Sequence, residues 1–326
     1  MLFWLTLAVA TAWLLWYMVA VPGASYRGAL KPLTPDENLL AGNLRRHVAA
    51  IASREHNLWN RPALEEAAQY IERMLAASGY PVRAQRIETA LGEVRNLEVE
   101  VPGGARGTEI VIVGAHYDSV TGAVGANDNG SGVGAVLELA RLFKEAKPAR
   151  TLRFVAFVDE EPPFYRGDEM GSRYYAQRSK ERGENIVAMF SLETIGYYSE
   201  RPGSQRYPFP LNFFYPSTGN FIAFVSNLSS RALLHEAIAG FRRHAEFPSE
   251  AVAAPAFLPG VDWSDHWSFW KEGYPALMVT DTALYRYPYY HTMQDTPDKV
   301  DYERLARVVT GLHKTIHDLA EAVGKP

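Results

Sequence analysis

Hydrophobic positions along this chain change period several times, and each change marks an element. From Leu2 to Val21 the run LFWLTLAVATAWLLWYMVAV carries no charge, and about 20 apolar residues suffice for a helix to cross a bilayer. Trp13, Trp16 and Tyr17 suit an interfacial belt. A cleaved signal peptide would need a basic start and a small-residue site, and the PGAS that follows is a poor one. The pattern predicts an uncleaved membrane anchor over residues 1–23, a tether over 24–35 and one domain over 36–326.

Within that domain Thr34, Pro35 and Glu37 form a capping box with proline at the first helical position. Leu40, Leu44, Val48 and Ile51 continue the helix on one face, and Leu64, Ala68, Ile71 and Leu75 mark a second helix ending near Gly79. Leu97, Val99 and Val101 alternate as in a half-buried strand. Ile110 to Val113 is a continuous apolar run, as for a strand covered on both faces. Helices are expected over 133–143, from near Gly171, over 229–244 and over 301–321. Strands are expected over 152–158, 186–192, 221–225 and 274–280. Such alternation predicts an α/β fold, a mostly parallel mixed sheet sandwiched between helices.

Composition narrows the chemistry. The formal net charge is −4 over 326 residues, and no long Lys/Arg run occurs, so nucleic acid is not an expected partner. Cysteine is absent, which excludes disulfides and thiolate ligands and leaves His, Asp and Glu to hold any metal. Arg27 and Lys31 follow the apolar run and nothing basic precedes it, which by the positive-inside rule turns the domain toward the cytoplasm.

Ligands in such sheets bind beyond the carboxyl ends of the strands, where this chain places acids and histidines. The expected strand at 110–113 runs into GAHYD, with His116 and Asp118. That at 152–158 runs into Asp159, Glu160 and Glu161, and that at 186–192 into Glu193. The run at 274–280 leads to YYHT and His291. Asp128 lies in the glycine-rich GANDNGSG. Taken singly, each has an ordinary reading as a loop, turn or helix-start residue; sharing one rim by accident is much harder. Zinc takes imidazole nitrogen and carboxylate oxygen, paired zincs need a bridging group, and one carboxylate must stay off the metal to accept a proton. Adjacent glutamates face different ways, so the Glu160–Glu161 doublet can divide those tasks. No HExxH, G-x-S-x-G or Walker sequence is present.

The stretches "GAHYDSV", "GANDNGSGV", "FVDEEPP", "FSLETIGYY", "SDHWSFWKEGYPALMVTDT" and "YYHTMQDTPDKVDYERLARVV" resemble, in order, the co-catalytic di-zinc aminopeptidases of metallopeptidase clan MH, relatives of which include bacterial leucyl aminopeptidases, glutamate carboxypeptidase and glutaminyl cyclase. The resemblance implies a zinc-exopeptidase-like fold and two zinc ions. Asp128 would bridge them, with His116 and Glu193 on one and Glu161 and His291 on the other. Glu160 would be the general base, and Asp118 would orient the His116 ring. Asp265 matches a position near the site, although a helix N-cap serves it equally well, and His266 is expected to be structural. A cis Asp128–Asn129 peptide is implied as well.

Two departures stand out. Classical members carry Asp where Glu193 stands, and a transition-state tyrosine where this chain has Val261; Tyr285, Tyr287, Tyr289 or Tyr290 could replace it. The implied reaction is hydrolysis of the first peptide bond of a substrate with a free N-terminus. An apolar first residue is expected from Phe164, Tyr165, Trp263, Trp267 and the tyrosine loop. Glutaminyl-peptide cyclisation, di-zinc carboxypeptidase activity and an inactive membrane-anchored receptor module are the alternatives. Such relatives act mostly outside the cytoplasm, so the resemblance implies an extracytoplasmic domain, against the charge asymmetry.

Overall fold

The computed structural model describes residues 2–322. Helices α1 (Leu2–Val19), α2 (Pro35–Ile51), α3 (Arg61–Ala77), α4 (Gly132–Phe143), α5 (Gly171–Glu181), α6 (Arg231–His244), α7 (His266–Lys271) and α8 (Tyr302–Glu321) accompany strands β1 (Arg83–Thr89), β2 (Gly92–Val101), β3 (Arg106–His116), β4 (Arg150–Phe157), β5 (Asn185–Glu193), β6 (Ile222–Ser226), β7 (Ser249–Ala253) and β8 (Ala276–Thr280). The strands form one sheet in the order β1-β2-β4-β3-β5-β8-β6-β7. Its centre, β4-β3-β5-β8, is parallel. β1 and β2 add an antiparallel edge, and β6 runs against β8 while pairing in parallel with β7.

Strand periodicity decides what each face buries. Val111, Val113, Phe154, Phe190 and Val279 point into the larger core with α2, α3, α4, α6 and α8. The alternate residues Ile110, Ile112, Val155, Phe157 and Met189 pack against Tyr175 of α5 and Phe269 of α7. Both faces are thus covered, as a parallel sheet requires. The capping box at Thr34–Glu37 is present: Glu37 N–H donates to Thr34 Oγ1 and Thr34 N–H to Glu37 Oε2.

The span expected over residues 1–23 is corrected. α1 has 18 residues, about 27 Å at 1.5 Å per residue against roughly 30 Å of hydrocarbon. Among the described residues no helix is long and apolar enough to cross a membrane. The cause lies at its end. Met18 is buried in a satellite cluster with Leu211, Val225, Val252 and Ala254, and Arg231 donates to the carbonyls of Tyr17 and Ala20. The last third of the apolar run is therefore diverted onto the sheet edge. Phe3, Trp4, Leu5, Leu7, Val9, Trp13 and Trp16 remain exposed.

Candidate metal centre

The sheet and its loops bring together six of the residues singled out above. His116 ends β3 and Glu193 ends β5, neighbouring parallel strands. The Glu160–Glu161 doublet follows β4, entering through Asp159 at φ 57°, and His291 itself has φ 56°. Such φ values are uncommon for residues with a Cβ and turn the chain sharply at the rim. Asp128 sits in the turn before α4, where the Asp128–Asn129 peptide is cis. Gly125 opens that turn at φ 69°, and a Cβ there would stand 2.7 Å from the Asp128 carbonyl oxygen, so only glycine fits.

Asp128 faces a histidine on each side. Its Oδ1 lies 3.4 Å from His116 Nε2 and its Oδ2 3.1 Å from His291 Nε2. His116 Nε2 is also 3.3 Å from Glu193 Oε2, and His291 Nε2 is 3.3 Å from Glu161 Oε2. Two ligands about 2.0–2.2 Å from a tetrahedral zinc stand roughly 3.3–3.6 Å apart, and the four histidine–carboxylate contacts, at 3.1–3.4 Å, come close to that spacing. Among the described residues, His116, Asp128 and Glu161 each present a ligand atom within 4.8 Å of the others. His116 Nε2, Asp128 Oδ2 and Glu161 Oε1 are buried without a hydrogen-bond partner, which is costly unless something else satisfies them. The donor set fits zinc. Glu160 stands back, 3.9 Å from His116 Nε2.

The electrostatics ask for positive charge. Burial, then Asp128 beside them, pushes Glu161 and Glu193 up to about 7. Burial and the neighbouring Glu193, Glu161 and Asp265 push Glu160 well up. Burial opposes ionisation of Asp128 too, but its bonds to His116 and His291 hold it below the usual carboxylate range. Burial disfavours the His291 imidazolium, yet contact with Asp128 and Glu161 raises it to about 11.

Asp118 meets the His116 ring chiefly through its backbone. His116 Nδ1 is 3.1 Å from the Asp118 backbone carbonyl and 3.6 Å from its carboxylate. A carbonyl only accepts, so Nδ1 carries the proton and Nε2 is left with a lone pair for the cation side. The Asp118 carboxylate instead accepts from the backbone N–H of Glu160 and of Glu161, both at 3.0 Å. Asp265 is fully buried near the site and raised to about 6, chiefly by burial. It makes no capping bond to α7, which removes the N-cap alternative. His266 is structural as expected, bonding the Val261 carbonyl at 2.8 Å.

Several supporting residues escaped the sequence reading. Asp295 accepts from the N–H groups of Asn127 and Asp128 at 2.8 and 3.1 Å and from the Tyr287 hydroxyl at 2.6 Å. Asn129 donates to the Leu192 carbonyl at 2.8 Å. Ser264 donates to Glu193 Oε2 at 2.8 Å. "QDTP" four residues beyond His291 was a signal for Asp295, but only its spatial neighbour gives it meaning. In the tyrosine loop, Tyr290 stacks on His291 with ring centres 3.8 Å apart. Burial and Asp128, Glu161, Glu193 and Glu160 hold its phenol protonated.

A narrow cleft opens beside Glu193 and Tyr290, lined by Leu211, Phe221, Val252, Val261 and other largely apolar residues. Trp263 and Tyr285 also line it, but the expected Phe164, Tyr165 and Trp267 do not. The peptidase family M28 model matches residues 96–316, more than half of the chain and all six converging residues. The chain belongs to peptidase family M28. An uncharacterised Escherichia coli (strain K12) protein, YfbL, is 40% identical over 258 residues, covering 76% of this chain and 78% of that one. An aminopeptidase of Bacillus subtilis (strain 168), YwaD, is 25% identical over 70% of this chain and 45% of its own. A solved zinc aminopeptidase from Bacillus subtilis shares the fold with a TM-score of 0.68 at 16% identity, over 89% of this chain and 97% of that one. With its M28 membership and this donor set, the protein is a zinc-dependent metallopeptidase.

Proposed function

We propose that this M28 peptidase is an aminopeptidase that uses two zinc ions and releases the N-terminal residue of peptides. The observation carrying the proposal is Asp128 with one oxygen toward His116 and the other toward His291, each histidine 3.3 Å from a further carboxylate. His116 and Glu193 would hold one ion, His291 and Glu161 the other, and Asp128 both. Zinc so held supplies a Lewis acid for the scissile carbonyl and an acidified water. Glu160, outside the shorter contacts, accepts the proton of the attacking water and returns it to the leaving amine. Its raised proton affinity suits both halves of that task. The Tyr290 hydroxyl donates to the developing oxyanion, replacing the tyrosine absent at Val261. An α-ammonium is drawn to the acidic rim at Glu193, and an apolar first side chain enters the adjoining cleft.

The apolar α1 holds the domain against a lipid bilayer by inserting its exposed residues, with the catalytic domain on the extracytoplasmic side; protease accessibility in intact cells checks the side. For the activity, purified full-length protein is analysed for metal and assayed with and without chelator. The substrates are aminoacyl-anilides, glutaminyl peptides and N-terminally blocked peptides with a free carboxyl end. Chelator-sensitive cleavage of the anilides is expected; turnover confined to glutaminyl or N-blocked peptides would replace the reading with cyclisation or carboxypeptidase action.

A further inference from the structure

Strand register gives the cleft a direction. Glu193 pairs with Thr280 of β8, Thr280 with Ala223 of β6, and Ala223 with Glu250 of β7. Thr280, Ala223 and Glu250 therefore form a row across the sheet level with the metal centre. Met278, Val225 and Val252 form the next row on the same face, about 6.6 Å away at 3.3 Å per residue. Both rows line the cleft. Because β6 and β7 run opposite to β8, the second row lies toward the rim opposite His116 and Glu193. The acid in the first row, Glu250, faces Arg242 at 3.7 Å, which leaves the deeper row wholly apolar.

The far end of the cleft is where α1 docks. β7 is the last strand of the sheet, and the chain leaving α1 follows its free edge. Arg231 at the head of α6 donates to the carbonyls of Tyr17 and Ala20, and Arg242 near its foot to those of Pro22 and Gly23. The Ser249 N–H, at the start of β7, then donates to Ser25 Oγ at 2.9 Å. Residues 18–25 thus run antiparallel to β7, with Met18 at its carboxyl end. There Met18 is buried in one cluster with Leu211, Val225, Val252 and Ala254, and the first three of these line the cleft. Ala254 is the next residue of β7 on that face, and a methyl group is too small to close the end. The long, unbranched Met18 side chain fills such a gap well.

We infer that Met18 forms the floor of the cleft that receives the substrate's first side chain. The end of α1 thereby sets how long that side chain can be: two rows deep suits leucine, methionine or phenylalanine and rejects longer arms. The inference rests on the aminopeptidase reading. Full-length wild type and variants are assayed in one mild detergent with alanyl-, leucyl-, phenylalanyl- and homophenylalanyl-4-nitroanilide, and kcat/KM ratios are compared within each protein. Such a ratio is independent of the active fraction, so partial loss of folded protein does not move it. Met18→Ala should raise homophenylalanyl over leucyl turnover by about 10-fold, the scale on which an apolar pocket responds to added methylenes. Met18→Leu should keep the wild-type ratio, and so should Leu7→Ser on the exposed part of α1. Where Met18→Ala yields no active protein, Met18→Val reads the same shift at smaller size. An unchanged ratio in the shortened variants, or an equal shift in Leu7→Ser, overturns the inference and leaves aminopeptidase activity standing. No anilide hydrolysis by the wild type removes the aminopeptidase reading, and the floor with it.

Discussion

Glu160 and Glu161 are neighbours in sequence with separate surroundings, because the Asp118 carboxylate grips both backbone amides and fixes how their side chains diverge. Glu160→Gln keeps the volume and removes the proton acceptor. It should retain zinc while losing at least about 10²-fold in kcat, the usual contribution of a positioned base; metal analysis beside steady-state kinetics checks both. Asp128→Ala should instead lose metal, since each histidine keeps only one carboxylate partner, and atomic absorption on the purified variant reads this directly. Of the six acids and imidazoles at the centre, His116, Glu160, Glu161 and Glu193 were legible because each stands at or just past a strand end, while Asp128 and His291 were legible from the glycine-rich GANDNGSG and the YYHT that their loops carry. The role of Asp118 was legible only in part: residue type announces a carboxylate, but which N–H it accepts is settled by the turn between strands.

The turn before α4 gains its rigidity from other elements. Asp295 reaches it from the segment before α8, and Asn129 ties it to β5. Asp295→Asn cannot accept in the same way from two amides and a tyrosine. It should weaken zinc binding by about 10–100-fold, the usual cost of losing a partner that orients a ligand, while metal-free Tm changes little. Competition with a zinc-sensitive dye measures the first and thermal unfolding the second. Elements with strong periodicity, α2, α3, β3, β4 and α8, were readable from the chain alone. β1 was not, because only Ile87 of its seven residues is buried and no alternation shows. β7 escaped for shortness, with five residues, and of the six-residue α7 only its start at SDH was read. The apolar run at the N-terminus misled in length, since its final residues pack on protein.

For the molecule as a whole, the acidic centre couples stability to pH and metal. Folded Glu161 and Glu193 titrate at about 7, above the ordinary carboxylate range, so between roughly pH 4.5 and 7 the folded state binds more protons than the unfolded chain. Their contribution to metal-free stability is present at low pH and is lost as pH rises through that window. His291, raised to about 11, has the same sign above roughly pH 6.5. Zinc replaces those protons and stabilises the state that binds it. The rise in Tm on adding zinc should therefore be larger at pH 8 than at pH 5.5, which calorimetry of apo and reconstituted protein measures.

The docking of Met18 also bears on how the domain can be handled. Met18 is only 3% exposed, and Arg231 lies 4.0 Å from the centre of the Tyr17 ring. Cutting the chain after Val19 to gain solubility would open a greasy pit at the β6–β7 edge and strip a cation of its seat. A trimmed form beginning upstream of Trp16 keeps the plug in place while discarding most of the exposed tryptophan and phenylalanine surface.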